Sequence, residues 1–308
     1  MNAPSCDALV LFGAPRQVAI AIGAMVKRHG TQNVGDEVEL YACDTQGDEV
    51  EAYERLSRAQ GNSCSAGHEP DSPRLKIEVH ADVAAVSRRA AALVAEASRR
   101  AIAQRDRFVL ALSGGNTPRA MLRMLAAESI DWHKVHLTQV DERVAPVHSR
   151  ERNLSDLREF LLARIALPAE QFHPMPVDDD ADLPAAAERH ARLLERLAGA
   201  PPLLDLVQLG LGADGHTASL VPGDPVLDVT DNDVAVAESY QGCRRMTLTL
   251  PIINRALCIL WLVTGEQKAD ALARMVQGDP SLPASRVRQA SALLLADHAA
   301  ARLASQAI

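Results

Sequence analysis

From residue 74 onward, apolar runs of strand length alternate with amphipathic stretches of helix length. A helix between two strands lets those strands run parallel, because it carries the chain back to the edge of the sheet where strands begin. The chain contains no internal repeat. The alternation therefore predicts an α/β fold in which helices cover a mostly parallel sheet.

Hydrophobic spacing places the elements of this fold along the chain. Strands are predicted at 108–112, 135–140, 203–209, 246–250, 258–264 and 292–296. Helices are predicted at 83–103, 118–128, 153–165, 185–197, 266–276 and at the C-terminus, with a polar, Asp-rich loop at 178–182. Ligands of an open parallel sheet bind beyond the carboxyl ends of the strands, so we expect functional residues in the loops that follow them.

Residues 59–73 read AQGNSCSAGHEPDSP, which is rich in Gly, Ser, Asn, Asp and Pro without a hydrophobic period and predicts a linker. We therefore divide the chain into an N-terminal extension with its linker, residues 1–72, of unknown role, and a main domain, residues 73–308. In the extension, 7–13 reads as a strand and 16–29 as a helix. The turn between them lacks the further glycines of a dinucleotide-binding loop, so nucleotide binding is not expected.

Charge limits the classes of partner. The chain has 32 Lys and Arg against 40 Asp and Glu, a formal net charge of −8. This balance argues against nucleic acid or an anionic membrane as a principal partner, and an anionic substrate would need local cations. No apolar run approaches the length of a membrane span, and the opening run lacks the basic segment of a signal peptide.

The cysteines indicate a reducing compartment. Their number is odd and they contain no C-x-x-C pair, which argues against a disulfide framework and a structural zinc site. They are Cys6, Cys43, Cys64, Cys243 and Cys258. We expect a cytoplasmic protein, monomeric or a small homo-oligomer, that acts on a small molecule.

The first segment that carries chemistry is LSGGNTP at 112–118, between a predicted strand and a helix opened by its proline. Gly114 and Gly115 let backbone N–H groups converge, and the hydroxyls of Ser113 and Thr117 add donors. The helix N-terminus adds positive partial charge. The segment fits a phosphate cradle and, equally, a tight strand-to-helix turn with an N-cap.

The second segment is QVDERVAP at 139–146, at the end of another predicted strand. Asp141 and Glu142 are candidates for an acid or base, and Arg143 is a candidate cation for a phosphate or a carboxylate. The alternative is an exposed charged loop ahead of the helix that is predicted from Asn153.

The third segment is LGLGADGHTASLVPG at 209–223, where a predicted strand ends and a short helix is expected after His216. Histidine can act as a neutral general base near pH 7. Asp214, in contact with the other ring nitrogen, would fix the tautomer and raise the basicity of the ring. A single histidine is otherwise more often a structural or surface residue.

The fourth segment comprises RRMTLTLPIINR at 244–255 and TGEQK at 264–268. Arg245 and Lys268 lie next to apolar strands and open the following loops, from which both can supply cations to a site at the end of the sheet. Each one alone is more often a solvated surface charge.

In this order and spacing, the S-G-G, D-E-R and D-G-H segments, the basic residues and the late LPASRVR at 282–288 closely resemble the 6-phosphogluconolactonase family. That family belongs with glucosamine-6-phosphate deaminases to one sugar-phosphate superfamily, and the resemblance spans residues 74–308. It implies a modified Rossmann-like α/β fold, a mostly parallel sheet with helices on both faces. It also implies hydrolysis of 6-phospho-D-glucono-1,5-lactone in the oxidative pentose phosphate pathway, with no metal and no organic cofactor.

The resemblance also implies roles for particular residues. His216 corresponds to the proposed base for the hydrolytic water, with Asp214 as its partner. The expected substrate contacts are Ser113, Gly114, Gly115, Asn116, Thr117, Arg143, Arg245 and Lys268. The chain departs from the usual family residues at Asn116, Ala145, Arg152 and Val221, none of which removes a charged or titrating group, so the departures bear on substrate fit.

Two other functions compete with this one. The first is a glucosamine-6-phosphate deaminase-like isomerase, in which the aspartate of the D-E motif abstracts a carbon-bound proton; Arg143 and the T-A-S-L run favour the lactonase. The second is a non-catalytic sugar-phosphate sensor. Residues 1–70 show no basic patch or helix-turn-helix pattern for such a regulator, and the presence of both Asp214 and His216 favours an enzyme.

Overall fold

The strands follow the predicted alternation closely. The computed structural model describes residues 40–42, 75–178 and 182–304, and the segments predicted at 7–13, 16–29 and 59–73 lie outside these ranges, as do Cys6, Cys43 and Cys64. Within the described ranges the strands are β1 (Leu40–Ala42), β2 (Lys76–His80), β3 (Phe108–Leu112), β4 (Val135–Gln139), β5 (Asp141–Arg143), β6 (Phe172–His173), β7 (Leu206–Gly210), β8 (Val234–Tyr240), β9 (Cys243–Leu248), β10 (Ile259–Val263) and β11 (Ala292–Asp297).

The helices occupy the intervals between these strands. They are α1 (Val83–Arg105), α2 (Asn116–Leu125), α3 (Asn153–Phe160), α4 (Leu183–Ala198), α5 (Leu250–Arg255), α6 (Ala269–Val276) and α7 (His298–Ala301). The helix predicted at 153–165 ends early, because Leu161 leaves helical geometry and the chain continues as a short 3-10 turn, Leu162–Arg164. None of the described helices combines the length and hydropathy needed to cross a membrane.

The main sheet is parallel throughout, with the strand order β1-β2-β11-β10-β7-β3-β4-β6 among the described residues. Alternate side chains of each central strand enter two separate apolar cores, one on each face. On β3, Phe108, Leu110 and Leu112 pack with α1 to α3. Val109 and Ala111 enter the opposite core, which contains residues of α4 to α7. The prediction of a mostly parallel sheet with helices on both faces is confirmed.

A second, antiparallel sheet of three strands, in the order β5-β9-β8, lies beside the main one. The sequence predicted the strand at 246–250 but not this separate sheet, and it did not predict β1, β2, β5, β6 or β8. One residue joins the two sheets. Val140 N donates to Leu112 O at 3.0 Å, and Val140 O accepts from Leu248 N at 2.8 Å. The end of β4 therefore fixes where the small sheet stands relative to the main one.

The Glu142 carboxylate stabilises this junction by accepting four hydrogen bonds. Oε1 accepts from the backbone N–H of Arg143 at 2.7 Å and of Asn153 at 2.8 Å. Oε2 accepts from Gln139 Nε2 at 2.7 Å and from Leu154 N at 2.8 Å. Burial raises the pKa of the Glu142 carboxyl above its ordinary value, although these four donors act to lower it. One side chain thus ties β4, β5 and the N-terminus of α3 together.

Three histidines form a second polar cluster, at the β4–β6 edge of the sheet. His136 Nδ1 and His173 Nε2 lie 3.1 Å apart. Thr138 Oγ1 donates to His173 O at 2.9 Å, so its contact with His190 Nε2 at 3.0 Å requires that nitrogen to carry the hydrogen. Burial lowers the pKa of His190 to about 4, with the charge of His173 as a lesser cause. Burial likewise lowers the pKa of His173 to about 4, with His136 as the lesser cause.

We expect Glu142→Ala to lower the free energy of unfolding by about 3 kcal/mol, because it leaves buried N–H groups without an acceptor. Urea denaturation followed by circular dichroism measures the loss. Glu170→Ala, at an exposed position, is the matched control and should match the wild type. Equal stability of Glu142→Ala and the wild type would show that the junction does not depend on this carboxylate.

The histidine cluster predicts a loss of stability in acid. A histidine with a lowered folded pKa stabilises the fold above the unfolded value of 6.5, and that contribution is lost as the pH falls towards 4. Between pH 7 and pH 5 the loss from His190 is about 2 kcal/mol. Urea titrations at both pH values should show a smaller drop for His190→Gln, which keeps an N–H for Thr138 without titrating. Equal drops in the two proteins would contradict this assignment.

Candidate active site

A cavity of about 190 Å³ opens at the carboxyl ends of the central strands, where the loops after β3, β4, β7 and β10 converge. This is the edge at which an open parallel sheet binds its ligands. It is lined by Ser113, Gly114, Gly115, Asn116, Thr117, Pro118, Asp141, Arg143, Asn153, Gly210, Leu211, Gly212, His216, Ala218, Arg245, Leu262, Val263, Thr264 and Lys268.

The S-G-G loop forms one wall of the cavity, and steric constraints favour glycine at both of its glycine positions. Gly115 has φ +104°, in the range that glycine alone adopts freely. A Cβ on Gly114 would lie 2.3 Å from Asn153 Oδ1, so a side chain there would push Asn153 away. The helix after the loop begins at Asn116 rather than at the predicted Pro118, which brings the N-terminus of α2 to the cavity.

Hydrogen bonds to side chains of neighbouring elements hold this loop in place. Ser113 donates both its N–H, at 3.1 Å, and its hydroxyl, at 2.8 Å, to Gln208 Oε1. Thr117 Oγ1 lies 3.1 Å from Thr264 Oγ1, and Gly115 N donates to Asp156 Oδ2 at 3.3 Å. Ser113 therefore anchors the loop to β7, and its two donors are already used.

The three side chains of the D-E-R segment lie in three different environments. Asp141 is buried at the cavity wall, where Oδ2 accepts from Ser219 Oγ at 2.6 Å and Oδ1 from Asn153 Nδ2 at 3.0 Å. Glu142 faces inward to the sheet junction and does not line the cavity, so its candidacy as an acid or base finds no support in the geometry. Arg143 lines the cavity and donates from Nη1 to Glu151 O at 2.7 Å.

His216 and Asp214 form a close pair after β7. His216 Nδ1 lies 2.6 Å from Asp214 Oδ1, and Gly212 leaves the room for this contact, since a Cβ there would lie 2.1 Å from Nδ1. The expected helix after His216 is absent: Ala218 has φ 49°, and a bridge between Thr217 and Leu220 makes a turn instead. The imidazole therefore projects from a tight loop.

Asp214 is held by two partners at once. Tyr240 Oη donates to Asp214 Oδ2 at 2.9 Å, while His216 occupies Oδ1. Burial is the largest single influence on the pKa of Asp214 and acts to raise it, but the charge and hydrogen bond of His216 and the hydrogen bond from Tyr240 lower it overall. Asp214 therefore remains a carboxylate, and because a carboxylate only accepts hydrogen bonds, His216 Nδ1 carries the shared hydrogen.

Cations face this pair across the cavity. Arg143 and Arg245 lie directly opposite each other on β5 and β9, and like charges on paired strands repel. Burial, and next the charge of Arg143, lower the pKa of Arg245, which is 3% exposed with no hydrogen-bond partner for Nε among the described residues. Lys268 lines the cavity from the turn after β10, and burial lowers its pKa while Asp214 opposes that change. An anion bound between these cations would relieve the repulsion.

The structure brings the predicted site residues together. Of the candidate residues, only Glu142 and Asp214 do not line the cavity; Asp214 contacts it through His216, whereas Glu142 faces the sheet junction. Sequence reasoning missed the supporting residues Gln208 and Tyr240. A polar residue inside the buried run LVQLG was the available signal for Gln208, whereas no feature of the sequence indicated Tyr240. Among the residues that the structure describes, no group of three or more His, Cys, Asp or Glu side chains is arranged to hold a metal ion.

Comparison with known proteins finds relatives that match most of the chain. A 6-phosphogluconolactonase of Mycobacterium tuberculosis is 42% identical over 219 residues, which cover 67% of this chain and 89% of that protein. The one from Synechocystis is 38% identical over 186 residues, 59% of this chain and 77% of that protein. The solved 6-phosphogluconolactonase of Trypanosoma brucei is 26% identical with a TM-score of 0.67, and the match covers 75% of this chain and 99% of that one.

The family match covers every residue that lines the cavity. Residues 81–295 match the family described as glucosamine-6-phosphate isomerases/6-phosphogluconolactonase. With the S-G-G loop, the D-E-R strand and the D-G-H turn meeting at one edge of the sheet, the chain belongs to the glucosamine-6-phosphate isomerase/6-phosphogluconolactonase family.

Proposed function

We propose that the chain hydrolyses 6-phospho-D-glucono-1,5-lactone to 6-phospho-D-gluconate, the second step of the oxidative pentose phosphate pathway, with His216 as the general base. The observation that carries this proposal is the His216–Asp214 contact of 2.6 Å at the wall of a cavity that also holds Arg143, Arg245 and Lys268. The named relatives are 6-phosphogluconolactonases, which supports the same substrate.

The hydrolytic step uses the free nitrogen of His216. Because Nδ1 donates to Asp214, Nε2 is left as an acceptor for a proton of water. Water oxygen bonds to C1 of the lactone as its proton passes to Nε2. The bond between C1 and the ring oxygen then breaks, and the proton on Nε2 passes to that oxygen, which becomes the hydroxyl on C5. The new carboxylic acid loses its proton to solvent.

Positioning supplies much of the catalysis for such a substrate, because a δ-lactone is an activated ester. The three cations offer a binding place for the phosphate, in a chain whose overall net charge is −8. A dianion placed between Arg143 and Arg245 gains charge-assisted hydrogen bonds and offsets their mutual repulsion. The phosphate then fixes the lactone ring relative to His216. No serine nucleophile is needed in this scheme.

The deaminase-like alternative requires Asp141 to abstract a carbon-bound proton. Asp141 does line the cavity, but its two oxygens already accept from Ser219 and Asn153. Both oxygens are thus engaged in holding the cavity wall, which favours the lactonase. The sensor alternative requires the cavity to bind a sugar phosphate without turning it over, so a turnover assay separates it from both enzymes.

The proposal extends to the setting of the reaction. We place the protein in the cytoplasm as a monomer or small homo-oligomer with a small-molecule substrate and no nucleic-acid or membrane partner. Cys243 and Cys258 are free, as a reducing compartment permits.

His216→Ala should lower kcat for freshly generated 6-phosphogluconolactone by about 100-fold or more, because the general base is lost. The measurement is pH-stat hydrolysis with the spontaneous rate subtracted. His133→Ala, an exposed histidine at the opposite edge of the sheet, is the control and should retain full activity. Full activity of His216→Ala would reassign the base, and a wild type without acceleration that binds the substrate would favour the sensor. Ammonia release from glucosamine 6-phosphate would favour the deaminase.

Arg245→Gln should raise KM for the phosphorylated lactone by about 10- to 100-fold with a small change in kcat, because a charge-assisted contact to the phosphate is lost. The same variant should hydrolyse unphosphorylated glucono-1,5-lactone as the wild type does. Arg150→Gln removes an exposed arginine and serves as the control. Equal losses with both lactones would mean that Arg245 does not act on the phosphate.

A further inference from the structure

An irregular register in the small sheet places Tyr240 on the face that carries Arg245. Ala237 pairs with Arg245 across β8 and β9, but Tyr240, three residues on, pairs with Cys243, two residues back. An uninterrupted ladder would place Ser239 opposite Cys243. The additional residue in β8 is a β-bulge, and because directly paired residues share a face, it moves Tyr240 onto the face of Arg245 and Arg143.

A tight turn holds Tyr240 in this position. Gln241, with φ 52°, and Gly242, with φ 82°, close the hairpin as a two-residue loop immediately after Tyr240. Two central residues with positive φ match the twist of the strands that they join. The backbone on both sides of Tyr240 is thus constrained, by the bulge before it and by the turn after it.

The phenol contacts both the His216–Asp214 pair and Arg245. Its hydroxyl donates to Asp214 Oδ2 at 2.9 Å, and its ring meets the His216 ring edge-on, with centroids 5.5 Å apart. The guanidinium carbon of Arg245 lies 5.1 Å from the centroid of the Tyr240 ring, within the range of a cation–π contact. Arg245 Nη2 also donates to Tyr240 O at 3.4 Å.

The hydrogen bond from Tyr240 is suited to hold a carboxylate. Burial raises the pKa of Tyr240, and the hydrogen bond to Asp214 and its charge raise it further, against a smaller opposing effect of Arg245. The phenol therefore keeps its proton, so Tyr240 remains a donor. With Oδ2 bound to Tyr240 and Oδ1 bound to His216, Asp214 cannot rotate without breaking a contact.

We propose that Tyr240 is a positioning residue for hydrolysis: it orients the Asp214 carboxylate, through which it holds His216 with Nε2 towards the substrate. The proposal rests on the proposed lactonase function and adds a third member to the His216–Asp214 pair. Tyr240 need not touch the lactone. Its effect on catalysis passes through Asp214, whereas its ring packs against Arg245.

The test is Tyr240→Phe, which removes the hydroxyl and keeps the ring. We expect kcat to fall by about tenfold, the value of one hydrogen bond to a charged group, with KM within about twofold of the wild type. Tyr240→Ala, which also removes the ring beneath Arg245, should raise KM as well. Ser239→Ala removes an exposed hydroxyl from the adjacent position of the same hairpin and should leave both constants unchanged.

A double-mutant cycle separates positioning from a general structural effect. In an Asp214→Ala background, Tyr240→Phe should cause no further loss of kcat, because the hydroxyl has no carboxylate to orient. Wild-type kcat in Tyr240→Phe would overturn the proposal. So would a tenfold loss that persists in the Asp214→Ala background.

A spectroscopic measurement tests the same inference without substrate. In ¹⁵N-labelled protein, with the His216 signals assigned by their loss in His216→Gln, the wild type should show the tautomer with hydrogen on Nδ1. Tyr240→Phe should show a larger share of the Nε2–H tautomer. An unchanged tautomer ratio would overturn the positioning role even if the protein is an active lactonase. A wild type that does not hydrolyse the lactone would overturn the proposed function, and the tautomer ratio would then be the test of whether Tyr240 orients His216.

Discussion

The close approach of two sheets at the end of β4 is the constraint on which the site depends. Val140 bonds to both sheets, and the Glu142 carboxylate gathers N–H groups from either side of it. The neighbours of Glu142 in sequence, Asp141 and Arg143, are thereby set at the cavity wall. Asn153, which begins α3, is fixed by the same carboxylate and in turn touches Gly114 closely enough to exclude a side chain there. A buried acid that does not line the cavity thus helps to determine where Arg143 and the S-G-G loop meet.

The cavity concentrates positive charge in a chain whose net charge is negative. Against a net charge of −8, it concentrates Arg143, Arg245 and Lys268 at one edge of the sheet. The cost of burying cations is visible in the lowered pKa values of Arg245 and Lys268. A site that holds repelling cations before its ligand arrives favours an anion of matching charge over a neutral sugar, because only the anion offsets that cost. The proposed preference for a phosphorylated substrate would follow from this arrangement of cations.

Much of the fold and of the site could be predicted from the sequence, for reasons that differ between elements. The continuous apolar run Phe108–Leu112 and the amphipathic Val83–Arg105 carry their signal within the element, so local pattern suffices to predict them. The motifs follow strand ends, and parallel topology brings strand ends together. Glu142 and Tyr240 could not be assigned in this way. The environment of Glu142 arises from groups up to twelve residues away in sequence, and the face that Tyr240 presents depends on one additional residue in β8.

The bulge in β8 has a consequence for the protein in a crowded solution. β8 is an outer strand of the small sheet in the described structure, and an outer strand has backbone groups without a ladder partner, through which it can recruit a strand of another molecule. The bulge interrupts the regular spacing of those groups, and the exposed Glu238 beside it places a charge on the same stretch. A deletion that repaired the ladder would therefore straighten an edge that is now irregular, and would favour aggregation at the strand that presents Tyr240. A single backbone irregularity thus both turns one side chain and interrupts the edge of the sheet.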